Sequence, residues 1–336
     1  MRLGRAAALI LLLGLAGCQG FQTTLEPQGY QAERIDVIWR LMLVICGVMY
    51  LLVLGFLAWA MWRARRRLGF EPVDPNQSHD RKLQTTLAGW AGLIVLGLSV
   101  LTAATFLVDR QLAHAAAQNA QHIRVTANQF WWKIEYLETD PSQNVTTANE
   151  LHLPVGRAAM IELRSNDVIH SFWIPNLAGK QDLIPGRKGE AVITPRRAGR
   201  YRGQCAEFCG LQHAHMALHV TAESPAQFAA WKAHQLQPAL QPADALRVQG
   251  QQVFESGACG ACHQIAGTEA GGQVGPTLTH VASRPSLAAG TLPYSRGSLA
   301  AWIADPQGIK PGTNMPAVSL SSSDLNALVA YLDSLK

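Results

Sequence analysis

The stretch GQCAEFCGLQHAHMALHVTA, residues 203–222, joins a loop rich in possible metal ligands to a segment with strand-like alternation. The loop holds Cys205, Cys209, His213 and Met216. Soft thiolate and thioether donors with imidazole select copper, and a single blue-copper ion takes only one thiolate. Two cysteines four residues apart, in a loop leaving a β domain, can instead bridge a pair of copper ions. A disulfide and a zinc site remain the alternatives, although a disulfide has no use for His213 and zinc has none for Met216.

The sequence on both sides of this loop has the pattern of a β domain, residues 111–224. Runs such as HIRVTANQFWWKIEY (122–136) and AAMIELRSNDVIHSFWIP (158–175) are rich in β-branched and aromatic residues and are cut by Gly and Pro. Several short strands within about a hundred residues predict an all-β Greek-key sandwich or barrel. A short helical piece and then a semi-rigid spacer rich in Pro, Gln and Ala predict a linker at 225–244.

Residues 245–336 have the pattern of an all-α domain, and CGACH at 259–263 is the attachment signature of c-type haem. In such a motif Cys259 and Cys262 reach the two vinyl groups on one porphyrin edge, and His263 faces the iron. A zinc site would need two further ligands nearby, and a redox dithiol would need a βαβ pattern; the sequence offers neither.

The sixth iron ligand follows by elimination. Beyond His263 the chain contains one methionine, Met315, and one histidine, His280. Met/His ligation raises the reduction potential and suits an electron carrier. Met315 is therefore the expected ligand, with His280 or an open position as the alternative.

The N-terminal part predicts export and two membrane crossings. Residues 1–17 are typical of a secretory signal peptide, with basic residues before a short apolar run. LAGC at 15–18 resembles the bacterial lipobox, in which Cys18 is lipidated; an ordinary signal peptide is the alternative. Within segment 18–110, the uncharged runs 41–62 and 87–108 are each long enough to span a bilayer and predict a transmembrane hairpin.

The connector between these spans, residues 63–86, holds six basic residues and marks the cytoplasmic side. Both later domains are therefore expected on the periplasmic side of a bacterial inner membrane. Arg2 and Arg5 account for two units of the formal charge of +5, and the connector accounts for the other three. The basic balance is thus a signal of topology and does not predict nucleic-acid binding.

The spacing Cys-x-x-x-Cys-x-x-x-His-x-x-Met, with HSFWIP upstream, resembles the CuA loop of subunit II of haem–copper cytochrome c oxidases. The resemblance implies a cupredoxin-like domain in which two cysteines bridge two copper ions, each ion takes one histidine, and a thioether and a backbone carbonyl are weak ligands. In that order, the implied ligands are Cys205, Cys209, His170, His213, Met216 and the carbonyl of Glu207. His215 and His219 have no matching role.

Two further roles are implied by the same resemblance. The Glu207 side chain would reach a magnesium ion shared with subunit I. NQFWWKIEY (128–136) resembles the stretch near which family members accept electrons, which points to Phe130 and Trp131. This sequence has Phe130 where the family usually has a tryptophan, and buried strand aromatics are the alternative.

The C-terminal domain resembles class I cytochromes c, including GPTL at 275–278, where Pro276 would support His263 from behind. Membrane helices, a CuA-like domain and a cytochrome c domain together resemble caa3-type subunit II over essentially the whole chain. This implies passage of electrons from haem c through CuA to subunit I, for oxygen reduction coupled to proton pumping. The implied partners are subunits I and III, cytochrome c or another respiratory donor, and the bilayer. A nitric oxide reductase subunit and a copper-delivery lipoprotein are rival interpretations; a quinol oxidase subunit is disfavoured by the copper ligands.

Overall fold

A computed structural model describes residues 20–66, 81–114 and 120–336 of the 336-residue chain. The predicted signal peptide and Cys18 lie outside the described residues, as does much of the basic connector. The chain divides into two compact units: one is Glu33–Ala115, and the other comprises the remainder.

The first unit consists of two long helices, α1 (Tyr30–Arg66, which begins in the other unit) and α2 (Arg81–His114). Both are long and apolar enough to cross a membrane, and the most apolar window of each is unburied. The predicted spans 41–62 and 87–108 fall inside them. The helices are longer because their polar ends continue the same backbone hydrogen bonding: at 1.5 Å per residue each is about 50 Å long, against a hydrocarbon core of about 30 Å.

The second unit contains a β-sandwich of ten strands. Each strand is short, and the larger ones alternate between buried and partly exposed residues, as in β2, where Trp132, Ile134 and Tyr136 face inward. The strands are β1 (Gln121–Asn128), β2 (Trp131–Leu137), β3 (Val145–Ala148), β4 (Glu150–Pro154), β5 (Ala159–Ser165), β6 (His170–Trp173), β7 (Gln181–Leu183), β8 (Gly189–Ile193), β9 (Gly199–Cys205) and β10 (Ala217–Glu223).

Strand order explains how distant parts of the sequence meet. One sheet has the order β3-β2-β1-β5-β8 and the other has the order β4-β10-β9-β6-β7. β1 pairs with β5, and β4 with β10, in parallel, so the chain crosses between sheets before it returns. One hydrophobic core lies between the sheets. The prediction of a cupredoxin-like Greek-key domain is confirmed.

The segment expected to be a linker, 225–244, begins with a packed helix, α3 (Pro225–Gln235). Ser224 and Gln227 cap its first turn reciprocally. Phe228 is buried in the core of the β domain, and the ring of Trp231 lies 5.1 Å from that of Tyr136. Packing of these rings attaches the helical piece, α3, to the sandwich and leaves the spacer after it as the connection to the next domain.

The C-terminal domain is helical and has a core of its own. Its helices are α4 (Ala245–Ser256), α5 (Cys259–Cys262), α6 (Arg296–Ala304), α7 (Pro306–Ile309) and α8 (Ser322–Leu332), with a small hairpin of β11 (Ser286–Leu287) and β12 (Leu292–Pro293). α4 and α8 cross at Gly250, where an added Cβ would lie 2.1 Å from the carbonyl oxygen of Ala327. This close approach fixes the crossing of the terminal helices. The prediction of an all-α cytochrome c domain is confirmed.

Candidate metal and haem centres

The copper-ligand candidates come from two places in one sheet. β9 ends at Cys205, the loop then carries the remaining candidates, and β10 begins directly after Met216. His170 is far away in sequence, but it opens β6, which pairs with β9 through Phe172 and Cys205. Strand pairing therefore brings His170 to the loop.

Distances between the side chains describe one compact cluster. The Sγ atom of Cys205 lies 3.7 Å from Nδ1 of His170 and 3.2 Å from the carbonyl oxygen of Glu207. The Sγ atom of Cys209 lies 3.7 Å from Nδ1 of His213 and 4.0 Å from Sδ of Met216. The ligand atoms of His170, Cys205 and Cys209 all lie within 4.8 Å of one another, and both thiols are free.

A buried network orients His170. Its ring is completely buried, and Nε2 lies 2.7 Å from Oδ1 of Asp167, which leaves Nδ1 facing the sulfur of Cys205. Burial lowers the pKa of His170, but hydrogen bonds with Cys205 and Asp167 outweigh it and raise the pKa overall. Asp167 was not predicted; its position three residues before His170 was the available signal. A carboxylate that accepts a hydrogen bond from the second ring nitrogen of a metal-binding histidine commonly fixes the orientation of that ring.

Electrostatics at the two thiols favours cations. Hydrogen bonding from Cys209 lowers the pKa of Cys205 well below its ordinary value, while the same neighbour and burial raise the pKa of Cys209. Two adjacent buried sulfurs cannot both ionise without positive charge nearby. Metal ions supply that charge and require deprotonated thiolates. The cluster of thiolates, imidazoles and a thioether therefore fits copper ions.

The second tryptophan of the aromatic stretch, Trp132, contacts His170 and the copper loop. Trp132 is fully buried, its ring lies edge-on 6.2 Å from that of His170, and its Nε1 donates to the carbonyl of Met216 at 3.5 Å. The buried-aromatic alternative thus describes Trp132. Nδ1 of His215, which is not among the copper-ligand candidates, lies 2.9 Å from Oε1 of Gln212.

The haem-ligand candidates line one cavity. Cys259, Cys262, His263 and Met315 all contribute to its wall, which is otherwise mainly apolar. His263 Nδ1 donates to the carbonyl oxygen of Pro276 at 2.7 Å, and the carbonyl can only accept. Nε2 is therefore the ring nitrogen left for an iron ligand. The residues fit a covalent haem with Met/His ligation.

His280, the alternative sixth ligand, faces elsewhere. Its Nδ1 lies 2.9 Å from the carbonyl oxygen of Lys336, and its Nε2 lies 3.1 Å from that of Gln237. Both ring nitrogens are thus engaged, and His280 is absent from the lining of the described cavity.

The cavity also reaches the β domain. Gln129, Phe130 and Trp131 form part of its wall, and Phe130 is only 4% exposed. Gln129 Nε2 donates to the carbonyl oxygen of Cys209 at 2.6 Å. The aromatic stretch thus lies between the haem cavity and the cysteine loop.

Comparison with known proteins agrees with this architecture. Residues 114–223 match the family described as cytochrome C oxidase subunit II, periplasmic domain, and residues 248–336 match cytochrome c. A cytochrome c oxidase subunit 2 from Alkalihalophilus pseudofirmus is 33% identical over 97% of this chain and 95% of its own length. The subunit 2 from Bacillus subtilis is 30% identical over 98% of this chain and 97% of its own length. The one from Bacillus sp. strain PS3 is 31% identical over 97% of this chain and 95% of its own length. With its two apolar helices and its fused cytochrome c domain, the chain belongs to the cytochrome c oxidase subunit II family, in its caa3-type form, and is a component of the cytochrome-c oxidase enzyme.

Proposed function

We propose that this subunit carries electrons from its own haem c, through a binuclear CuA centre, to subunit I of a haem–copper oxidase. When bound, the haem and the copper pair each supply a one-electron redox couple, and subunit I uses the electrons to reduce oxygen to water with proton pumping. The proposal rests on the segment that separates the two sites. Phe130 and Trp131 line the haem cavity, and the neighbouring Gln129 donates a hydrogen bond to the carbonyl oxygen of Cys209.

The proposed copper ligands differ in donor strength. Cys205 and Cys209 would hold both ions, and His170 and His213 would each hold one. The Met216 thioether and the Glu207 carbonyl would be weak ligands that adjust the reduction potential more than they retain the metal. Cys205, Cys209 and Met216 are all at most 4% exposed, so water is excluded from the donors. Exclusion of water and a fixed scaffold suit electron transfer better than bond-making.

In the proposed haem site, Cys259 and Cys262 would attach the haem covalently, and His263 and Met315 would hold its iron. The hydrogen bond from His263 to Pro276 fixes the ring tautomer and makes the ligand a better donor. Electrons would reach the copper pair through the wall containing Phe130 and Trp131. This makes those residues an internal contact between the two centres, in place of a docking site for soluble cytochrome c.

The remaining parts of the proposal are a magnesium site, the membrane location, the partner proteins and lipidation. The Glu207 carboxylate lies 3.8 Å from the ammonium of Lys180 and is 44% exposed, which leaves it available for the proposed magnesium ion at the boundary with subunit I. We further propose that α1 and α2 anchor the chain in the bacterial inner membrane beside subunits I and III, that cytochrome c or another respiratory donor delivers electrons to the haem, and that Cys18 carries lipid.

The experiment is purification of the membrane complex through a tag on this chain, followed by metal analysis and oxygen consumption with a reduced cytochrome c donor. The Cys205→Ser complex should retain haem c and lose most oxygen consumption, whereas Cys46→Ser, a matched change at an exposed membrane-helix cysteine, should match the wild type. Full oxygen consumption by Cys205→Ser would refute the proposal. A partner that reduces nitric oxide in place of oxygen would assign the chain to the rival respiratory complex.

A further inference from the structure

Lys310 is a buried lysine that neither centre uses as a ligand. It follows α7 on the loop that carries Met315, and it is only 2% exposed. Burial lowers the pKa of its ammonium group to about 7, a sign of the cost of removing that charge from water. A group buried at such a cost needs strong partners.

Three backbone carbonyls from three segments provide those partners. Lys310 Nζ donates to the carbonyl oxygens of Phe130 at 3.0 Å, His215 at 2.9 Å and Ala288 at 2.7 Å. Phe130 and His215 belong to the β domain, whereas Ala288 belongs to the cytochrome c domain. His215 immediately precedes the copper-ligand candidate Met216. The three ammonium donors thus connect the aromatic stretch, the copper loop and the haem domain.

Other hydrogen bonds join the same segments. Gln212 Nε2 donates to the carbonyl oxygen of Pro311 at 3.0 Å, and Asn314 Nδ2 donates to that of Gln129 at 3.3 Å. Gln212 lies on the copper loop, and Asn314 immediately precedes Met315. The loop that offers the iron ligand and the loop that offers the copper ligands are therefore in direct contact, and both Lys310 and Gln212 are buried there.

A second buried contact crosses the same domain boundary. Arg284 Nε lies 3.6 Å from Oε1 of Glu150, and both side chains are at most 8% exposed. A haem domain that swings freely on its spacer would have to break this ion pair and expose Lys310 in each excursion. Each excursion would lose this ion pair and the three hydrogen bonds of Lys310, and hydrogen bonds made by charged groups are the stronger kind.

We propose that Lys310 is a positioning residue that clamps the haem loop onto the copper loop, so that electrons pass between fixed centres and not from a mobile haem domain. This inference rests on the function proposed above. In each transfer the reduced haem loses one electron and the oxidised copper pair gains it, with no bond made or broken.

The test measures transfer between the two centres in the purified oxidase complex. A laser flash with a photoreducing dye places one electron on the haem, and absorbance follows haem reoxidation and copper reduction. Lys310→Met keeps the aliphatic stem and removes all three donors. We expect it to slow the transfer, because one hydrogen bond to a charged group shifts the equilibrium between the docked and the undocked haem loop by about tenfold or more, and only the docked loop transfers electrons at the full rate. Lys188→Met removes the same charge from an exposed position and should leave the rate unchanged.

Spectra of the same samples separate positioning from loss of a centre. The copper EPR signal and the haem spectrum of Lys310→Met should match those of the wild type; a wild-type rate with both centres intact would overturn the inference. If the variant loses a centre, the viscosity dependence of the wild-type rate decides. A clamped domain gives a rate independent of added glycerol, whereas a rate that falls as viscosity rises would overturn the clamp. Absence of any haem-to-copper transfer in the wild type would instead refute the proposed function.

Discussion

His263 donates a hydrogen bond from Nδ1 to the carbonyl oxygen of Pro276 across 2.7 Å, and this contact sets the orientation of the imidazole. Gly275 lies against the same ring: an added Cβ would be 2.5 Å from Cε1 of His263. The ring is thus held by an acceptor and by a backbone with no side chain beside it. A motif in which glycine precedes proline satisfies both requirements.

Gly275→Ala is expected to displace the imidazole of His263 and weaken its bond to the haem iron. The cost of such overpacking is typically about 1–3 kcal/mol. The measurement is the absorption spectrum and the haem reduction potential of the purified chain. Gly271→Ala is the matched control, since an added Cβ there meets nothing within 4 Å. Wild-type spectrum and potential in Gly275→Ala would contradict the assigned role of His263.

Met216→Leu is expected to shift the copper reduction potential and leave copper bound. Met216 is buried, with Sδ 4.0 Å from Sγ of Cys209, and leucine nearly conserves its volume. Potentiometry and metal analysis of the purified chain measure the two effects separately. Met160→Leu, on β5, is the control and should change neither. Release of copper from Met216→Leu would mean that the thioether is a holding ligand.

The contact between Glu138 and Lys232 predicts a dependence of stability on acid pH. Burial raises the pKa of Glu138, but hydrogen bonds from Lys232 and Gln121 outweigh it, so that the pKa is lowered from its ordinary value near 4.5. A depressed carboxyl pKa stabilises the folded protein above the unfolded-state pKa, and this stability is lost as pH falls through the folded-state pKa.

The measurement is the midpoint of thermal unfolding of the purified chain against pH. As the pH falls from about 5 through the folded-state pKa, which lies below 4.5, the wild type should lose more stability than Glu138→Gln, which cannot be protonated at this position. Glu190→Gln changes an exposed carboxylate on β8 and should follow the wild type. Parallel curves for wild type and Glu138→Gln would show that the contact with Lys232 contributes nothing measurable.

Features encoded by local spacing could be predicted from the sequence. The two-cysteine loop, the C-x-x-C-H motif and the two apolar runs each carry their chemistry within a few residues. Met315 was reachable by elimination, and His170 by family resemblance. The ends of the membrane helices were less predictable, because polar residues continue a helix without any apolar signal.

Contacts that depend on how the domains pack were missed. Nothing in the sequence near Lys310 predicts its three carbonyl partners, which come from residues 130, 215 and 288. The sequence predicted a short helical piece at the start of the linker, but not the packing of its Trp231 against Tyr136, which attaches it to the β domain. Such contacts arise from tertiary structure, which periodicity and motif spacing do not encode.

The most direct test of the central claim is the EPR spectrum of the oxidised, purified chain, with copper quantified in the same sample. We predict two coppers per chain and a multi-line hyperfine pattern from one unpaired electron shared by both nuclei. A four-line pattern from a single copper, or a bond between the sulfurs of Cys205 and Cys209 in the metal-loaded protein, would contradict it.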